Sequence, residues 1–155
     1  MKLTLENVQK LLVTNKLDVQ SQKETGQLYY LLKIQDAEFP VFVRLYDQED
    51  LLQMLMFIPC TLANGSEGEV GRLLHTLNKE IDIPGFGMDE TSRVIFYRAM
   101  VPAFKGEIEE GLIEAFLASL PTVGRTFGGV ISAVATGNAK YEEVMKKVRE
   151  AEKSQ

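Results

Sequence analysis

At 155 residues and 17.4 kDa the chain is long enough to bury one substantial core, and its 45% hydrophobic and 25% charged content is that of an ordinary globular protein. A net charge of −5 excludes a general nucleic-acid binder, which needs Lys and Arg to neutralise phosphates, and the single cysteine excludes an intramolecular disulfide framework. No run reaches the roughly 18 apolar residues of a membrane-inserting helix and MKLTLENVQK lacks the apolar core of a signal peptide, so the expectation is one cytoplasmic domain over residues 1–155.

Taken in order, Thr4 is placed to cap a first helix with Leu5, Val8, Leu11 and Leu12 on one face, fading at Asn15-Lys16. Asp18 to Lys23 reads as an exposed strand closed by the turn Glu24-Thr25-Gly26. Leu28 to Ile34 (LYYLLKI), Phe39 to Tyr46 (FPVFVRLY) and Leu51 to Ile58 (LLQMLMFI) follow as strands, separated by turns at Asp36-Ala37-Glu38 and Asp47 to Asp50. Pro40 must sit at a strand start or an edge, because it cannot donate to a ladder. Ser66 is the expected cap of a second helix that carries Val70, Leu73, Leu74, Leu77 and Ile81 and is stopped by Pro84-Gly85. A short strand at Phe86 to Met88, a polar turn at Asp89 to Ser92 and a long strand at Arg93 to Val101 come next. Glu107 to Leu120 has a clean helical face in Ile108, Leu112, Ile113, Phe116, Leu117 and Leu120. Pro121 then opens a glycine-rich apolar segment ending at Gly137-Asn138, a poor helix by propensity that needs close packing to justify its glycines. Tyr141, Val144, Met145 and Val148 mark a last amphipathic helix.

Strands joined by short loops are antiparallel neighbours, since parallel pairs need long crossovers. The chain therefore reads as α+β: an antiparallel sheet of about five to six strands flanked by helices, in the order α-β-β-β-β-α-β-β-α-α-α. Strands 28–34, 51–58 and 93–101 are apolar on both faces, whereas a sheet covered on one side alternates apolar and polar. The second face needs a cover. Either the segment Val123 to Gly137 folds back over it, or a partner or second copy of the chain occupies it.

Signals for chemistry are sparse. His75, the only histidine, lies on a helix face and has no second ligand near it in sequence, and Cys60 reads as a packed thiol. Gly85-Phe86-Gly87 lacks the helix and Lys-Ser/Thr of a phosphate loop. Asp89-Glu90 and Glu107-Glu109-Glu110 suit a turn and a helix start. Nothing calls for a metal or cofactor, and no enzyme is expected.

The segment LLHTLNKEIDIPGFGMDETSRVIFY is similar to the Leu-x-x-x-Asn, short strand, Asp-Glu turn, apolar strand pattern of the type III secretion chaperone-like fold. TFGGVISAVATGNAKYEEVMKK resembles the ending of YbjN-like proteins, an apolar helix, a Gly turn and a helix starting in "EE". The chaperone branch implies a small acidic cytoplasmic homodimer that holds a segment of a secreted partner along apolar grooves and one sheet edge. The YbjN-like branch implies a sensory or stress regulator. The first expectation is thus a non-enzymatic, chaperone-like module that binds another protein, with Tyr29, Leu31, Phe42, Met54 and Met56 as contact residues. The alternative is a regulator that binds a small apolar ligand near Phe86, Met88 and Phe96, or a regulatory protein.

Overall fold

The computed structural model describes residues 1–46, 50–82 and 85–154. Among these residues four helices and six strands follow in the order α1 (Leu5–Thr14), β1 (Gln20–Gln22), β2 (Gln27–Ile34), β3 (Ala37–Tyr46), β4 (Leu51–Phe57), α2 (Glu67–Glu80), β5 (Gly85–Asp89), β6 (Val94–Pro102), α3 (Glu110–Ala135) and α4 (Tyr141–Lys153). The strands form one antiparallel sheet in the order β1-β2-β3-β4-β6-β5. Thr4 caps α1 as expected, its Oγ1 accepting the Asn7 N–H at 3.2 Å. Pro40 lies opposite Leu31 of β2, one residue before the β3–β4 ladder starts at Val41↔Met56, so no β4 residue is registered against it.

Several local expectations change. Ala37 and Glu38 belong to β3, which tightens the β2–β3 turn to Gln35-Asp36, with Gln35 in the left-handed region at φ 54°. Ser66 occupies the N-cap of α2 but makes no side-chain cap bond; it is buried, with a near-helical backbone (φ −88°, ψ −7°) rather than the extended one a cap side chain needs. Glu107 to Glu109 precede α3: Glu107 bridges to Lys2, and the Ile108 carbonyl accepts from the Met1 amine at 2.6 Å. The turn expected at 47–50 and the stop expected at Pro84 fall largely or wholly outside the described residues.

The main departure is at Pro121. The expected helix Glu107–Leu120 and the glycine-rich segment are one continuous α3 of 26 residues with Pro121 inside it. Proline in a helix interior loses a hydrogen bond and costs about 3 kcal/mol. Here one stripe crosses it: Ile113, Leu117, Leu120, Gly124, Gly128, Ile131 and Ala135, spaced by three and four, face the sheet and are all buried except the half-buried Leu117. Gly124 and Gly128 are the closest approach. A Cβ on Gly124 would collide with Ile34 Cδ1 and lie 3.3 Å from Phe39 Cε1, and one on Gly128 would lie 3.0 Å from Phe39 Cζ. The glycines are the packing surface, which is why a segment of poor propensity is helical.

All the helical packing falls on one sheet face. Leu28, Tyr30, Ile34, Phe39, Val41, Val43, Leu52, Met54, Met56, Ile95, Tyr97, Ala99 and Val101 point into it and form one core with Val8, Leu12, Val70, Leu73, Leu120 and Ile131. The Val123–Gly137 segment therefore helps cover this first face and leaves the second bare. α4 is tied to α2, its Glu142 pairing with Arg72 at 2.8 Å, the Arg72 guanidinium 4.1 Å above the Tyr141 ring, and Thr76 Oγ1 3.0 Å from the Tyr141 hydroxyl.

Candidate functional site

Strand register sorts the bare face into rows. Tyr29↔Phe42↔Leu55↔Arg98↔Gly85 is one, and Phe57↔Phe96↔Gly87 continues beside it toward Pro40↔Leu31. Along them rings touch in sequence: Tyr29–Phe42 at 5.0 Å, Phe42–Phe57 at 5.6 Å and Phe57–Phe96 at 6.4 Å between centroids. Phe96 takes the space over Gly87, where an added Cβ would meet Cζ at 2.6 Å, so the stripe ends with a ring covering the β5 backbone. The next row, Gln27↔Arg44↔Gln53↔Met100, is a polar flank. Arg44 Nε donates to Gln53 Oε1 at 3.0 Å, the Tyr46 hydroxyl donates to the same oxygen at 3.3 Å, and the Arg44 guanidinium sits 4.5 Å above the Tyr46 ring.

Of the expected contact residues, Tyr29, Leu31 and Phe42 lie together on this face, Leu31 being 45% exposed. Met54 and Met56 do not. Both are fully buried under the helices, because their parity on β4 is that of the core face, and no surface partner reaches them. Leu55 and Phe57, their sequence neighbours, hold the half-buried positions on the second face; only strand parity separates the two sets, and sequence gives parity without saying which side is covered.

The expected ligand trio also divides. Phe86 is buried against Tyr97 and Phe127 at 5.2 and 5.6 Å, and Met88 reaches toward Gly71 of α2. Phe96 is on the opposite side of the sheet, so the three line no common pocket. An apolar cavity of about 470 Å³ does lie near them on the helical side, between Ile81, Tyr97, Leu112, Phe116 and Val123.

The two sheet edges differ. On β5, Asn78 from α2 stands in for a neighbouring strand: its Nδ2 donates to the Phe86 carbonyl at 2.9 Å and its Oδ1 accepts the Phe86 N–H at 2.7 Å. This gives the Asn of the Leu-x-x-x-Asn pattern a physical role, closing an edge that would otherwise invite pairing. Asn78→Ala should cost about 1–2 kcal/mol in chemical denaturation and speed exchange of the Phe86 amide; unchanged exchange would mean that something else closes the edge. At the other edge β1 covers only Gln27 to Tyr29 of β2. Among the described residues no strand is registered against Tyr30 to Ile34 on that side. Since Pro40 has no N–H, Leu31↔Pro40 is a non-hydrogen-bonded pair, which turns the Leu31 N–H and carbonyl away from β3 toward that open side.

Elsewhere the chemistry is plain. His75 is exposed on α2. Burial pushes the half-buried Cys60 thiol up, against a smaller opposing hydrogen bond from Ser132. Among the described residues no His, Cys, Asp and Glu side chains group as a metal site, and no helix is long and apolar enough to cross a membrane.

The YbjN family, described as "Putative bacterial sensory transduction regulator", matches residues 4–131. No curated protein matches the sequence. Solved structures share the fold, among them two from protein complexes. One is a chain of the ExsC–ExsE complex, at a TM-score of 0.59 and 20% identity over 85% of this chain and 98% of that one. The other is a chain of the HopA1–SchA chaperone–effector complex, at 0.52 and 13% over 77% and 88%.

Proposed function

The chain belongs to the YbjN family, and from that premise we propose that it is a non-enzymatic, chaperone-like module, one domain over residues 1–155, that holds a segment of another protein. The observation that carries this reading is the bare aromatic face joined at Leu31 to an open β2 edge. An apolar sheet face left in water costs solubility unless something covers it. The open edge offers main-chain hydrogen bonds to an extended stretch, and the adjoining rings offer selectivity for its side chains. The described fold neighbours include a chaperone–effector complex, which agrees with a protein partner, a secreted one among the candidates. Tyr29, Leu31, Phe42, Leu55 and Phe57 are the contact residues of this proposal, and the cytoplasm is its setting.

A second reading is favoured by the apolar cavity: a regulator that senses a small apolar ligand between Ile81, Tyr97, Leu112, Phe116 and Val123. One experiment separates them. The tagged full-length protein is recovered from its own lysate, and bound proteins and small molecules are identified by mass spectrometry. A stoichiometric protein that is lost from Leu31→Pro, which deletes the edge donor and spares the β3 ladder, is the expected result. A copurifying apolar compound without a protein partner would favour the regulator.

A further inference from the structure

We propose that the bare sheet face receives an amphipathic helix of the partner protein, apolar along one side and carrying carboxylates on the flank that meets Arg44 and Arg98. This rests on the protein-binding reading and divides it: an extended part of the segment pairs with the β2 edge, and a helical part of the same protein covers the face.

Conformation follows from the direction of the stripe. The rings Tyr29, Phe42, Phe57 and Phe96 run across β2, β3, β4 and β6 rather than along a strand. An extended chain laid over a sheet face has no partner there for its own N–H and C=O groups, whereas a helix satisfies them internally. Strands repeat about every 4.8 Å across a sheet and helical turns about every 5.4 Å, so a short helix along the stripe keeps one apolar residue per strand.

Charge follows from what the face lacks. The chain carries a net charge of −5, yet the charged residues beside the ring stripe are Arg44 and Arg98, both exposed, while Lys33, Glu38 and Asp89 lie at the corners of this face. Each guanidinium is steadied over a ring, Arg44 over Tyr46 at 4.5 Å and Arg98 over Phe96 at 5.9 Å. Among the described residues no carboxylate pairs with either. The outward carboxylates of the strands are engaged at the corners: Glu38 with Lys33 at 3.8 Å, and Asp89 accepting the Thr91 and Ser92 N–H groups at 2.9 and 3.2 Å. The same face of a second copy of the chain would bring another pair of guanidiniums against Arg44 and Arg98. An acidic helix supplies both missing parts: apolar cover, and charge-assisted hydrogen bonds at the rim.

The test uses the full chain and two synthetic 18-residue helical peptides, identical in a leucine stripe, with glutamate at every flanking position in one and lysine in the other. Titration by fluorescence anisotropy should show the glutamate peptide binding at least tenfold tighter. Arg44→Glu/Arg98→Glu should reverse that order, and Leu55→Gln should weaken both peptides without lowering the melting temperature. Equal binding of both peptides, still lost in Leu55→Gln, would overturn the acidic-helix proposal and leave the docking reading standing. No binding of either peptide, together with an unchanged lysate partner in Leu55→Gln, would remove both. A dimer in sedimentation, or sedimentation with phosphatidylserine vesicles, abolished in either case by Leu55→Gln, would assign the face to a second copy or to lipid and overturn the proposal.

Discussion

Met54→Glu should unfold the protein, whereas Leu55→Glu, one residue along the same strand, should leave it folded and without its partner. Met54 is fully buried between Val43 and Ala99 beneath the helices. A carboxylate there has no counter-charge and removes a well-packed thioether, a cost of at least about 4 kcal/mol. That is a large part of the roughly 5–15 kcal/mol that holds a domain together. Leu55 points to the other side, with Phe42 and Arg98 in register on either hand. A glutamate there is solvated and has a guanidinium beside it, so the fold tolerates it while the apolar stripe is broken at its centre. Thermal melts of the two variants, with the lysate recovery repeated for Leu55→Glu, check the pair. A folded Met54→Glu protein would mean that the covered face has been assigned to the wrong parity.

The next largest effect is expected on α3, where equal residues have opposite roles. Gly124→Leu/Gly128→Leu should destabilise by about 3 kcal/mol, because both side chains enter space already held by Ile34 and Phe39 and lift the helix from the sheet. Gly129→Ala, on the exposed side of the same helix with nothing within 4 Å of its new Cβ, should stabilise by about 0.5–1 kcal/mol through helix propensity alone. Urea denaturation of the two variants beside the parent protein decides it. A destabilised Gly129→Ala would show that the helix needs its glycines for something other than contact with β2 and β3.

The two experiments meet at the same architectural point. A helix that carried bulky residues where Gly124 and Gly128 stand would ride higher over Ile34 and Phe39 and loosen the core that holds the sheet. The bare face depends on that sheet being rigid, since its rows of side chains are aligned only while β2, β3, β4 and β6 keep register. The fold similarity to chains from chaperone complexes extends to architecture alone at 13–20% identity, so the aromatic stripe and its arginines are argued from this chain's own residues.

Elements and their order were legible from residue patterns: short runs of aromatic, β-branched and aliphatic residues bounded by turns for the strands, three-and-four spacing for the helices, and the presence of apolar residues on both faces of the sheet. Those are properties of neighbours in the chain, and sequence carries them directly. The continuity of α3 was hidden because Pro121, Gly124 and Gly128 read locally as breakers. Yet the stripe from Ile113 to Ala135 keeps its spacing if glycine is counted as an apolar position, and that is the signal that would have found it. Which face is the core was not legible at all. Tyr29, Leu31 and Phe42 against Met54 and Met56 differ only in parity, and exchanging the faces leaves every strand pattern unchanged. Tertiary structure decides it through where α1, α2 and α3 pack: the glycines of α3 fit the face that presents Ile34 and Phe39, the helices bury that side, and the aromatic side is left to meet something else.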